Sequence, residues 1–201
     1  FNTQPLLPLL ADIREVLADD GIIAVDVHAL GYTSFNEFPI DRPRNFLYPC
    51  VAVSLGYAYP AAIGAKIAYP AKPVVCFSGD GGFMMGASEL ATAVRYGINV
   101  VAVVVNDNSL SSIKGAQQKF HEGRIIGTGL SNPDFSQFAK TFGAHGLRVK
   151  DLTKFATILQ DALKADRPTI IEVMMEDRQN ELIDYIPWLR SDPLRKFKSK
   201  N

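Results

Sequence analysis

Two cysteines, three histidines and no excess of either charge exclude several kinds of chemistry at the outset. Cys50 and Cys76 are too few for a disulfide framework, and both read as buried, inert thiols of a reducing compartment. His28, His121 and His145 share no metal spacing with one another or with the cysteines, so a zinc cluster is not expected. The 21 basic and 21 acidic residues cancel, which leaves no electrostatic case for nucleic acid or an anionic membrane. Only the stretch from Leu194 to Lys200 is locally basic, and it reads as a solvated end. No apolar run approaches the ~20 residues of a spanning helix, and no signal peptide opens the chain. Ser78-Gly79-Asp80 makes no nucleophile elbow. With 47% apolar residues among 201, one compact soluble domain in the cytoplasm is the expectation. The first residue is Phe rather than Met, which suggests an excised or processed piece.

What is present is an alternation of helix and strand patterns. Leu6 to Leu17 has the spacing of an amphipathic helix, ended by Asp19-Asp20-Gly21, and Ile22 to Val27 reads as a strand. Gly31 to Pro49 carries Pro39, Pro43 and Pro49 among polar residues and reads as a long loop. Ala61 to Tyr69 is a short helix. Val74 to Phe77 and Val100 to Val105 are continuous apolar runs, as central parallel strands require. Asp107 to Pro133 is a second long segment, with a helix near Ile113 to Phe120. Asp134 to Phe142 and Asp151 to Ala165 are helical, the second capped by Asp151. Leu147 to Val149 and Thr169 to Met175 complete the strands. Strands joined by helix-length crossovers imply an α/β fold, a doubly wound parallel sheet with helices on both faces. The expected division is a domain over 1–175 and a tail over 176–201. Tyr185, Trp188 and Leu189 make that tail apolar enough to close over a pocket or pack on a neighbour.

Two acids stand out against this pattern. Asp80 lies among Gly79, Gly81 and Gly82 after one apolar run, and Asp107 follows the next run 27 positions later. Each would sit at the carboxyl end of a strand, the edge where open α/β sheets bind ligands. Phe83, Ala87, Leu90, Ala91 and Val94 share one face of the crossover helix between them. Glycines allow a phosphate to approach the backbone. A carboxylate there would repel a diphosphate unless a cation stood between, and two hard oxygen ligands suit Mg²⁺.

Gly79-Asp80-Gly81 through to Asn106-Asp107 resembles the thiamine diphosphate signature, in which a Gly-Asp-Gly is followed about two dozen residues later by paired Asn. Ser54 to Ala65, punctuated by Gly56, Pro60 and Gly64, resembles the segment preceding that signature in acetolactate synthase-like enzymes. The sequence is therefore identified as similar to the carboxy-terminal, diphosphate-binding domain of that family. The resemblance implies Mg²⁺ ligation by Asp80, Asp107 and the backbone carbonyl of Ser109. Asp107 departs from the usual Asn, so the empty site should be more repulsive and residues 107 to 130 should lean on bound metal. Leu55 matches the bulky residue that props the cofactor in its bent, reactive shape, and Val53 the carbonyl that receives its aminopyrimidine. Asn106 reads as a brace for the turn. Gly56, Pro60 and Gly64 read as turn and close-packing positions, and His28 lies near the diphosphate position.

By the same resemblance, the enzyme is a homo-oligomeric decarboxylase or carboligase acting on a 2-oxo acid. A separate pyrimidine-binding domain supplies the activating Glu; Glu89 is not a substitute for it, and the chain alone should be inactive. Two other readings stay open. One is a non-catalytic cofactor-binding or assembly module. The other is a nicotinamide- or flavin-dependent oxidoreductase domain, reading the glycines as a dinucleotide fingerprint whose third position is Met84.

Overall fold

The structure is a computed structural model that describes residues 7–17, 19–175 and 178–184, together with residues 186 and 189. Its centre is a six-stranded sheet: β1 (Ile22–Val25), β2 (Phe46–Leu47), β3 (Val74–Gly79), β4 (Val101–Asn106), β5 (His145–Val149) and β6 (Thr169–Met174). The strand order is β2-β1-β3-β4-β6-β5, and all five pairings are parallel. A parallel strand covered on both faces needs apolar residues at every position, not at alternate ones. The sequence supplies them, and the two-residue period then sorts them between two cores. Ile23, Val25, Val75, Phe77, Val101 and Val103 face α1 (Leu7–Leu17) and α8 (Phe155–Leu163). Ile22, Ala24, Val74, Cys76, Ala102 and Val104 face α3 (Ala58–Ala68), α5 (Glu89–Arg95) and α7 (Phe135–Thr141). The doubly wound α/β fold expected from the alternation is the fold observed.

Local signals explain where several helices begin. Asp134 accepts the Gln137 N–H to cap α7, and Asp151 accepts the Thr153 N–H at the 3₁₀ turn leading into α8. α1 buries Leu9, Leu10, Ile13 and Leu17 on one stripe.

Other expectations are corrected. The segment over 31–49 is not one long loop, because it contains most of α2 (Ala29–Glu37) and the edge strand β2. Polar composition hid α2, whose Ala29, Leu30, Gly31, Thr33 and Ser34 are nevertheless buried. The first strand stops at Val25, two residues short of Val27, although the Asp26 N–H still donates to the Phe77 carbonyl of β3 at 2.9 Å. The crossover after β3 is two short helices, α4 (Asp80–Gly86) and α5, rather than one. The interruption at Ala87 and Ser88 re-phases the buried face, so Leu90 and Ala93 are buried while Ala91 is exposed. Cys50 is exposed and only Cys76 is buried. Gly64 has open space where a Cβ would stand, so close packing does not require it.

The segment beyond β6 turns back onto the domain. α9 (Gln179–Asp184) packs on α6 (Ser111–Phe120), and Leu182, Ile186 and Leu189 join the core that covers α1 and α8. Tyr185 and Trp188 lie outside the described residues. None of the described helices is long and apolar enough to cross a membrane.

Candidate functional site

The chain leaves β1 towards β2 on one side and leaves β3 towards β4 on the other. Between the carboxyl ends of β1 and β3 the connections therefore diverge, and such a switch point leaves a crevice. A cavity of about 270 Å³ lies there. Val27, His28 and Ala29 line it from the end of β1, Gly79 to Gly82 from the end of β3, and Asp107 with Ser109 to Ile113 from the end of β4. Val53 and Leu55 line it from the loop before α3. All eight residues singled out in the sequence, namely Val53, Leu55, Gly79, Asp80, Gly81, Gly82, Asp107 and Ser109, thus meet around one space. Glu89 opens α5 and is absent from the lining.

Both acids are buried. Burial raises the pKa of Asp80, opposed by hydrogen bonds from the Gly81 N–H and the Asn132 amide. Burial pushes Asp107 up to about 7, with the nearby Asp80 charge adding to the shift and the Ser111 hydroxyl, which donates to Asp107, opposing it. Among the described residues, the lining contains no Lys or Arg to balance this pair. The Ser109 hydroxyl oxygen is buried without a partner. Two desolvated carboxylates and an unsatisfied oxygen beside an open cavity fit a divalent cation carrying an anionic ligand. No cluster of three His, Cys, Asp or Glu occurs among the described residues, so oxygen ligands beyond side-chain carboxylates are required. Mg²⁺ commonly takes that form, held by one or two carboxylates and by ligand phosphates.

The surrounding loops are held by specific contacts. Leu110 and Leu130 exchange backbone bonds with Thr128 and Asn108, and Ser109 bridges Gly129, which fixes the turn carrying Asp107. Asn106 braces the same turn, its side-chain oxygen accepting the Asn108 N–H. Cβ atoms at Gly79, Gly81 and Gly82 would stand 2.9 Å from His28 Cβ, 2.7 Å from a Leu110 methyl and 3.1 Å from the Asp26 carboxyl carbon. These glycines therefore permit close packing of the site wall. His28 lines the cavity, but burial lowers its pKa to about 3, so the imidazole is neutral; its Nε2 is buried without a partner and its ring meets the Phe77 ring edge-on at 4.6 Å.

Several site residues escaped the sequence reading. Asp26 is buried and accepts N–H bonds from Val27, Gly56 and Ala58, at 2.8, 3.1 and 3.3 Å. It ties the Leu55 loop to the end of β1, and Val53 in that loop has a positive φ of 51°. A signal for Asp26 was available, since it too is an acid directly after an apolar run. Gln179 of α9 donates to the Asp107 carbonyl and accepts from Lys114. Asn132 donates towards Asp80, Asn106 and Asn108. Nothing local to positions 132 or 179 announces these distant contacts.

A parallel sheet with paired acids at the ends of adjacent strands, around a switch-point cavity, defines an α/β domain with its site at the carboxyl edge of the sheet. Residues 29–173 match the family described as thiamine pyrophosphate enzyme, C-terminal TPP binding domain, and the chain belongs to that family. Among its relatives is the large subunit of acetolactate synthase isozyme 2 from Escherichia coli, 31% identical over 86% of this chain and 32% of that protein. An acetolactate synthase from Bacillus subtilis is 32% identical over 90% of this chain and 32% of its own length. Among solved structures, the thiamine diphosphate-dependent 4-hydroxybenzoylformate decarboxylase of Rhodococcus jostii superposes with a TM-score of 0.77. It shares 29% identity, over 83% of this chain and 32% of the decarboxylase. The chain spans about a third of the length of these relatives. The dinucleotide-fingerprint reading falls with this assignment.

Proposed function

We propose that this chain forms the metal- and diphosphate-binding part of an acetolactate synthase-like enzyme that decarboxylates a 2-oxo acid or joins it to an acceptor. The observation that carries the reading is the convergence of Asp80, Asp107, Val53 and Leu55 on one cavity. In this reading the two carboxylates and the Ser109 backbone carbonyl hold Mg²⁺, and the glycine turn at 79–82 admits the diphosphate. Thiamine diphosphate, when bound, supplies a carbon nucleophile and an electron sink for a 2-oxo acid. This chain's own work is to neutralise the phosphates through metal, prop the cofactor with Leu55 and accept a hydrogen bond at the Val53 carbonyl. The activating Glu comes from a pyrimidine-binding domain, in the same full-length chain or another subunit of a cytoplasmic homo-oligomer. In the same proposal the α/β domain ends near residue 175, and the tail that follows it packs back on the domain through α9.

Calorimetric titration with thiamine diphosphate should show binding that needs Mg²⁺, weakened at least 100-fold by Asp80→Ala. Binding unaffected by Mg²⁺ and by that substitution would refute the reading. Turnover should appear only when a pyrimidine-binding domain is added, and its absence then would favour a non-catalytic module.

A further inference from the structure

We propose that Glu172, which does not itself line the cavity, is a positioning residue that sets the amide orientation of Asn106 and so holds the Asp80 side of the metal site. Glu172 is fully buried in the middle of β6. In the sheet register it stands beside Val104 of β4 and Arg148 of β5. Asn106, two residues after Val104, shares its face. Both carboxylate oxygens of Glu172 are used. One accepts from the Asn106 Nδ2 at 2.7 Å, and the other accepts from the Arg148 Nε at 2.7 Å. Arg148 also pairs with Asp134, the cap of α7, at 2.8 Å.

An amide has one accepting end and one donating end. Because Glu172 takes the donating end of Asn106, the accepting oxygen must face the site. There it receives the Asn108 N–H at 3.2 Å and the Asn132 Nδ2 at 3.0 Å. Asn132 Nδ2 in turn donates to Asp80 Oδ2 at 2.6 Å. The polarity of this relay is fixed at Glu172, since a carboxylate only accepts. The segment over 132–134 is held twice by it, through Asn132 at one end and Asp134 at the other.

Glu172→Gln reverses one link at nearly constant volume. The glutamine oxygen is claimed by Arg148, so its NH₂ confronts the NH₂ of Asn106. Asn106 then has to rotate, which turns a donor against Asn108 and Asn132. Glu172→Gln combined with Asn106→Asp restores the pattern, because aspartate accepts on both sides. A residue that merely filled buried space would not show this rescue.

The proposal rests on the metal reading above, so its test has one arm free of metal. In the metal-free full chain, NMR of the side-chain amides should show Asn132 protected from solvent exchange. The protection should be lost in Glu172→Gln and regained in the double variant. In the second arm, Mn²⁺ is titrated by electron paramagnetic resonance with thiamine diphosphate present. Affinity should fall at least tenfold in Glu172→Gln and return to within about threefold in the double variant. If Glu172→Gln does not fold, Arg148→Gln, at a half-exposed position, should still weaken Mn²⁺ several-fold with an unchanged circular dichroism spectrum. Parental amide protection in Glu172→Gln, parental Mn²⁺ affinity in a folded single variant, or a double variant no better than Glu172→Gln would each overturn the role. Failure of the parent chain to bind Mn²⁺ would instead remove the metal reading and leave the amide arm to judge the relay.

Discussion

At Asp107 the cost of holding a carboxylate beside Asp80 without a cation can be read as a pH dependence. The unfolded carboxyl titrates at about 3.9, and burial first, then the Asp80 charge, raises the folded value to about 7. Between those values the folded chain holds a proton that the unfolded chain has lost, so stability falls as pH rises through the window. Urea unfolding of the metal-free chain should show more stability at pH 5 than at pH 8, by roughly 2–3 kcal/mol. Asp107→Asn, which restores the residue usual in the family, should flatten that slope. A metal ligand must shed its proton, so Mg²⁺ with thiamine diphosphate should stabilise the parent more at pH 8 than at pH 5. Asp26 makes a different residue-scale argument. Asp26→Ala strands the Gly56 and Ala58 N–H groups, each at a cost of about 1–3 kcal/mol. Thermal melting should register that loss, and cofactor affinity should fall with it because Leu55 and Val53 lose their tether.

Elements meet closely in some places and loosely in others, and glycine marks both. A Cβ at Gly146 of β5 would stand 1.8 Å from the Ser136 carbonyl oxygen of α7, which is backbone and cannot step aside. Gly146→Ala should therefore force α7 off the sheet, costing more than about 3 kcal/mol in denaturant titration. Gly64 lies in the exposed face of α3 with open space around it. Gly64→Ala should stabilise the chain by about 0.5–1 kcal/mol, because alanine loses less backbone entropy on entering a helix. The two substitutions are chemically identical, so opposite shifts in melting temperature would isolate packing from propensity. α9 presents a third kind of contact. Its Gln179 reaches the Asp107 carbonyl and Leu182 lines the cavity, so this late element helps build the site wall.

For the whole molecule, the neutral charge balance and single sheet set off the switch-point cavity, where the buried Asp80 and Asp107 meet no Lys or Arg among the described lining residues. The exposed apolar residues Val51, Val53, Leu55, Met84 and Met85 belong to the loops and helix on its Leu55 side. The chain covers about a third of its relatives, and the expected outcome is no turnover by the isolated chain, checked by carbon dioxide release across a panel of 2-oxo acids. Much of this was legible in the amino acids. Val74 to Phe77 and Val100 to Val105 announce buried parallel strands by unbroken apolarity, and an acid within three residues after each run marks the ligand edge. Those are local facts, because strand burial and strand ends are written within a few residues. The helix α2 was not legible, since its amphipathic signal is diluted by Gly31, Thr33 and Ser34, which only the neighbouring sheet and core bury. Nor was the relay from Glu172 through Asn106 to Asn132. The sequence by itself determined the central parallel strands, most of the helices that flank them and the two acids just past strand ends. Only the tertiary structure decided which polar side chains face one another, because hydrogen-bond partners 24 to 66 residues apart are chosen by sheet register and packing, not by local pattern.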